Sequence, residues 1–580
     1  MAEALFKIAV SAMSGRRNRL KIFPALTLAV FLLPILVGLL FTWAPAFGYL
    51  SAAGSNRFSL EPFATLLHHP SLPGALRSTF ISGIGASLMS LGLALWIAAT
   101  LYGSRLWSTI ELSLAPLLSL PHAAFAIGFS FLIAPSGWLI RSVSPFPSGF
   151  TYPPDWTTNG DPWAISLTLT MLFKETPFLL LMIFSGLSRL DVRRTIWVGR
   201  SLGYHRLRIW TRLIIPQLYP MLRLPLLAVL AYSLSVVDLA YIIGPSLPPT
   251  LAVLIDRWFH DPDISSRFVG AAGALLLLLV TLACISSALV LEYLISKIAS
   301  RKILDGRRKS PFELLVGSGS FYALILLGVN VLSLTALMLW SVAHSWRFPH
   351  FFPARFSFSN WSTALSHLLE PVFVSALAAF LSCLLAIILV VGCFENEQNL
   401  ARSRIDSISQ RSLWIIYLPL LIPQISFLFG IQVLLIIFNL EGSWGTLIWI
   451  HLVFVLPYVF LTLANTYRSY DQRYSYVGTA LGARPLRSFF RVKLIMLTKP
   501  ILFSMAVGFG VSIAQYLPTL YVGAGRFATI TTETVSLASG SDRRVMAVYA
   551  LSQFLLALTG FLTAIVLPAI MFRNRRAMQN

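Results

Sequence analysis

Long apolar runs alternate with short basic stretches from one end of the chain to the other. A membrane-crossing helix needs about 20 mostly apolar residues. Twelve stretches meet that length, at roughly 23–43, 79–101, 110–134, 163–187, 219–243, 268–292, 320–343, 371–393, 413–438, 445–466, 499–520 and 546–571. Phe23 to Trp43 follows Arg16, Arg17, Arg19 and Lys21, and Ala44-Pro45-Ala46 looks like a cleavage site. The apolar core of a secretory signal is only about 7–15 residues, so this run reads as an uncleaved first span. The pattern predicts an all-α polytopic membrane protein of about 12 transmembrane helices.

Composition agrees. The 580 residues are 57% hydrophobic and 11% charged, whereas soluble domains carry about 25% charged residues. Forty-four Lys+Arg against 22 Asp+Glu could suit a nucleic-acid binder. The charges, however, sit in clusters between apolar runs, as the positive-inside bias produces, and nucleic acid is excluded as a partner. Cys284, Cys383 and Cys393 lie in or at the end of apolar runs. They give neither a disulfide framework nor a metal spacing.

The basic clusters are the N-terminal arm, Arg189–Arg212, Lys297–Lys309, Arg402–Arg411, Arg468–Lys493 and Arg573–Arg576. All fall on one side of the predicted spans, which places both termini in the cytoplasm. Six spans per half give the two halves the same orientation, a parallel repeat. Landmarks recur in order. Arg57-Phe58-Ser59 returns as Arg355-Phe356-Ser357, Pro121/Phe125/Gly128 as Pro423/Phe427/Gly430, Pro177 as Pro457, and Asp191-x-Arg193 as Asp471-x-Arg473. The spacing drops between the second and third landmarks because the N-terminal half carries an extra polar loop, Ser136–Asp161. The expected division is 1–296 for the first six spans, 297–317 for a basic cytoplasmic linker, and 318–580 for the second six.

The most informative repeat is a loop. Trp197-Val198-Gly199-Arg200-Ser201-Leu202-Gly203 lies between the fourth and fifth spans, and Tyr476-Val477-Gly478-Thr479-Ala480-Leu481-Gly482 holds the same place 279 positions later. Each reads as a short amphipathic helix with a glycine hinge, since glycine accepts a turn that a Cβ hinders. Such a helix suits a partner's groove. The alternative is an arginine-held helix lying on anionic membrane lipid, but its duplication favours docking.

Here the sequence resembles the permease subunits of binding-protein-dependent ABC importers, whose cytoplasmic loop carries Glu-Ala-Ala, three residues, Gly, then Ile-x-Leu-Pro. Gly203 and Gly482 match the glycine, Val198-Gly199 and Val477-Gly478 the small pair, and Pro216 the proline. Trp197 and Tyr476 replace the glutamate, and Ile495 replaces the second proline. The single-chain form looks most like the fused permeases of ferric-iron and thiamine importers, with Ala514–Leu520, Gly523–Arg526 and Thr531–Glu533 resembling a thiamine-type branch. The resemblance implies a methionine-importer-like permease fold in a bacterial cytoplasmic (inner) membrane. It also implies docking of an ATP-binding cassette ATPase dimer on Trp197, Val198, Gly199, Arg200, Leu202, Gly203, Tyr476, Val477, Gly478, Leu481 and Gly482. A periplasmic or extracellular solute-binding protein is the further implied partner.

The chain itself has no phosphate-binding Gly-x-x-x-x-Gly-Lys-Ser/Thr, no nucleophile elbow and no His-Glu-x-x-His. It is therefore expected to be a transport subunit, not an enzyme, with no catalytic residues, no metal and no cofactor. Ionisable groups at membrane depth cost a few kcal/mol. His122, Asp238, Gln424 and Gln515 are accordingly expected to line a path between the halves, the alternative being interhelical hydrogen bonds. Lys174 and Glu175 read as a structural or near-interface pair. A proton- or sodium-coupled secondary transporter of two parallel six-helix halves is the competing function. It would call for more intramembrane carboxylates and does not account for the duplicated loop.

Overall fold

In the computed structural model, residues 20–50, 54–302, 308–401, 417–540 and 542–573 are described. The basic N-terminal arm, the 402–411 loop, residues 303–307 of the linker and the tail beyond Arg573 lie outside them. The protein is an all-α polytopic membrane protein. Among the described residues ten helices are long and apolar enough to cross a membrane, or eleven when the bent pair Pro485–Met496 and Thr498–Ile513 is counted as one span. Aliphatic side chains such as Leu40, Leu88, Val290 and Ile570 stand exposed along these helices, as a hydrocarbon-facing surface requires.

Four of the expected spans are broken. Residues 110–134 divide into Arg105–Ser119 and His122–Ile133. Pro121 disfavours the helical region for the residue before it, and Leu120 is extended, at ψ 113°. Residues 219–243 divide into a helix ending at Ser235 and the short Asp238–Ile243, with Val236 extended between them. Residues 499–520 divide into Thr498–Ile513 and Leu517–Gly523. The 413–438 stretch holds helix Ile425–Ile437, preceded by a break at Pro423; residues 413–416 fall outside the described segments.

Elements follow one another in the same order in both parts of the chain. The first helices, Ile22–Ala46 and Ser318–Val342, each lead into a two-stranded hairpin, Tyr49–Leu50 with Ser55–Asn56 and Ala343–Ser345 with Arg355–Phe356. The repeated Arg-Phe-Ser triplets close these hairpins. The Ser59 N–H donates to the Phe47 carbonyl and the Ser357 N–H to the Val342 carbonyl, each at 2.8 Å. Leu72–Leu101 then packs on Ile165–Leu187, and Ser359–Ala401 on Trp444–Arg468.

The first helices cross over. Ile22–Ala46 packs against Ile425–Ile437 of the C-terminal half, and Ser318–Val342 against His122–Ile133 of the N-terminal half. Glycines set both approaches. A Cβ on Gly128 would stand 2.5 Å from the Ser333 carbonyl oxygen, and one on Gly430 would stand 1.9 Å from the Gly38 carbonyl oxygen. Small residues at such crossings let backbones touch, which is how apolar helices gain packing energy in lipid. This accounts for one sequence landmark: Gly128 and Gly430 recur because each receives the other half's first helix.

Candidate functional site

The repeated loops form short helices, Val192–Ser201 and Arg473–Ala480. Asp191 caps the first by accepting from the Arg194 N–H, and Asp471 accepts from the Arg473 N–H, the role expected of aspartate at a helix start. Each helix ends in a left-handed glycine, Gly203 at φ +79° and Gly482 at φ +85°. The second glycine of each motif has a separate task. A Cβ on Gly199 would meet Ile209 at 2.8 Å, and one on Gly478 would meet the Ser488 hydroxyl at 2.9 Å. Both contacts are 279 positions apart, so each short helix lies on the first turn of the helix that follows it. A π-helical turn comes next, Trp210–Ile214 and Phe489–Lys493. Because the second copy has Ile495 in place of Pro216, the proline is not what produces that turn.

Large apolar side chains project from both loops. Trp197 is 73% exposed and Leu481 83%, and Val198, Leu202, Tyr476 and Val477 are exposed as well. Beside the first loop, Arg193, Trp197, Arg200, Arg206 and Trp210 line a cleft of about 440 Å³.

The two loops are braced by different neighbours. The first rests on the segment joining the halves. The His205 N–H donates to the Arg308 carbonyl, Arg208 Nε to the Lys309 carbonyl at 2.9 Å, and the Leu207 N–H to the Glu313 carboxylate at 3.3 Å. Arg308 also covers Gly203. The second loop rests on the end of the long Ser359–Ala401 helix. There Lys493 donates to the Glu395 carboxylate, Tyr467 Oη donates to the same carboxylate at 2.8 Å, and Arg468 is bidentate to Glu397. Two span-length helices, Ser318–Val342 and Ser359–Ala401, lie between the two sets of contacts along the chain.

Polar side chains gather at the broken helices of each half. His122 Nε2 lies 3.3 Å from Glu175 Oε1, and its ring meets Tyr232 edge-on at 5.3 Å. Asp238 begins the short helix after the Val236–Val237 break, within electrostatic reach of His122 and Glu175. Gln515 sits buried in the corresponding break of the C-terminal half, its carbonyl accepting from Thr519. Gln424 caps Ile425–Ile437 as His122 opens His122–Ile133. The structure thus places His122 beside Glu175 and Tyr232, puts Asp238 at the Val236–Val237 break, and sets Gln424 and Gln515 at matching features of the other half.

Lys174 and Glu175 diverge. Lys174 Nζ donates to the Leu117 carbonyl at 3.1 Å and to the Leu120 carbonyl, satisfying the end of helix Arg105–Ser119, whereas Glu175 turns to His122. Sequence reasoning missed His451, which is buried and bonded through both ring nitrogens to the Ser512 and Thr519 hydroxyls. A lone histidine inside an apolar run was its only signal. Arg141 was also missed. It leaves the Ser136–Asp161 loop, stacks on Trp346 and donates to the Ser136, Arg347 and His350 carbonyls, tying the inserted loop to the other half's hairpin.

Comparison with known proteins adds one relationship. The chain is 34% identical over 541 residues to the inner membrane ABC transporter permease protein YnjC of Escherichia coli K12, covering 93% of this chain and 96% of that protein. No protein-family model matches.

Proposed function

This chain belongs to the permeases of ABC transporters, multi-pass inner-membrane transport subunits, and on that premise we propose that it forms the translocation path of an ATP-driven importer. Its energy comes from a separate pair of ATP-binding cassette subunits, and a soluble binding protein delivers the solute. The two halves act as parallel six-helix repeats with both termini in the cytoplasm.

One observation carries this reading. Two short helices at matching places in the repeat project exposed apolar side chains, each hinged at a left-handed glycine. Docking each into one ATPase gives a two-fold motor a matching pair of handles, and ATP-driven closure then rocks the halves to alternate access. Trp197, Val198, Gly199, Arg200, Leu202 and Gly203 form one handle, and Tyr476, Val477, Gly478, Leu481 and Gly482 the other.

His122, Asp238, Gln424 and Gln515 line the path. Asp238, and Glu175 with the His122–Tyr232 ring pair beside it, suit a small organic cation, by charge and by aromatic faces. That agrees with a thiamine-like solute.

Cysteines at Val198 and Val477 test the docking. With a short bifunctional thiol reagent, each captures the ATPase subunit in native membranes. Failure of both positions to capture it, with the permease present at normal abundance, would overturn the proposal.

A further inference from the structure

Helix Leu251–Phe259 follows the helix broken at Val236–Val237, the first of the two corresponding breaks, and carries one carboxylate, Asp256, which is only 3% exposed. Tyr241 Oη donates to its Oδ2 at 2.8 Å and Tyr521 Oη to its Oδ1 at 2.9 Å. His260 Nδ1 stands 3.5 Å from Oδ1. Tyr241 belongs to Asp238–Ile243, directly past the first break, and Tyr521 to Leu517–Gly523, directly past the second. A single carboxylate therefore ties together the two short helices that continue from the breaks, one from each half. Tyr516, in the second break, faces Tyr241 edge-on.

The matching site in the other half has none of this chemistry. Helices Leu251–Phe259 and Ile530–Ala538 have the same length, and each starts after a threonine, Thr250 or Thr529. In that register Asp256 corresponds to Val535, Tyr521 to Ile242 and Tyr241 to Leu520. Val535 and Ile242 are buried apolar residues. Apolar packing thus suffices to hold this type of contact shut. A buried carboxylate is the costlier solution, and it differs in one functional respect. Phenol–carboxylate hydrogen bonds can be exchanged for hydrogen bonds to water when the contact parts, at a net loss far below the bond's gross strength. Separating an apolar contact exposes its surface with no such exchange.

We propose that Asp256, with Tyr241 and Tyr521, is the latch of a gate that closes the path on the side away from the two exposed loops, and that it parts when the path opens there. Naming that side as outer rests on the orientation in the proposed function. The latch residues position the two broken helices; they are not assigned contact with the solute.

The test uses the full-length permease in its native membrane, with Cys284, Cys383 and Cys393 replaced by alanine and a reporter introduced as Gln515→Cys. A membrane-impermeant maleimide is applied to intact spheroplasts and, separately, to inside-out vesicles. Labelling is slow in the parent. Tyr521→Phe and Asp256→Asn each raise its rate by about tenfold, the scale of one lost hydrogen bond to a charged group. Tyr467→Phe removes a similar phenol–carboxylate bond, to Glu395, from the loop side and leaves the rate unchanged. If Asp256→Asn does not accumulate, Tyr241→Phe takes its place. Parental rates in the latch variants, or an equal rise in Tyr467→Phe, would overturn the latch. A rise confined to inside-out vesicles supports the latch and overturns the orientation instead.

Discussion

Gly430 touches Gly38 through bare backbone. A methyl on Gly430 would stand 1.9 Å from the Gly38 carbonyl oxygen, and Thr42 fills the remaining space, accepting from the Gly430 N–H at 3.0 Å while donating to the Gly38 carbonyl. The contact joins the first helix of the chain to the C-terminal half, so neither half packs as a closed unit.

Gly430→Ala is therefore expected to destabilise the whole protein. The obstacle is backbone and cannot rotate away, which places the cost at or above the about 1–3 kcal/mol typical of overpacking. Gly328→Ala, at a helical glycine with no neighbour within 4 Å, is expected to be neutral or slightly stabilising. Thermal unfolding of the two variants in detergent compares them directly.

Much of this was legible beforehand and some was not. The spans, the two loops and the Gly128/Gly430 landmark stand out because lipid-facing helices and backbone crossings restrict residue type. The break at Pro121 follows from its ring. The break at Val236–Val237 is hidden, because the hydrophobic run resumes after Asp238 and no Gly or Pro marks it. Asp256 is hidden for a related reason: its helix is too short for a span, so Asp256-Arg257 reads as a loop edge. The crossing of the first helices is also invisible, since apolar surface does not specify which apolar surface it meets.

Glu313→Ala is expected to loosen the first loop alone. It removes the acceptor of the Leu207 N–H, a contact of about 1 kcal/mol for a partly exposed group. Hydrogen–deuterium exchange is expected to quicken in 204–214 and to stay unchanged in 483–493, where Lys493 and Glu395 supply the brace instead.

Lys493→Met is expected to do the reverse. The lysine is buried, and its loss leaves Glu395 with Tyr467 as its remaining bonded partner in this network. Glu395 keeps some contact with water, so the cost falls towards the low end of the about 1.5–3 kcal/mol of charged hydrogen bonds. Adding Glu395→Gln restores much of it, because no unpaired charge then remains. A double-mutant cycle on unfolding temperature measures the recovery.

The central claim is that two matched loops each seat one ATPase. Gly203 and Gly482 hold left-handed conformations that a β-branched residue strongly disfavours, so valine at both positions distorts the loops while leaving the spans alone. Co-purification of the ATPase subunit with the Gly203→Val, Gly482→Val double variant, scored against wild type at equal permease abundance and equal unfolding temperature, is the most direct measurement. The account predicts loss of most of the bound ATPase. Full retention of the ATPase by the double variant would contradict it.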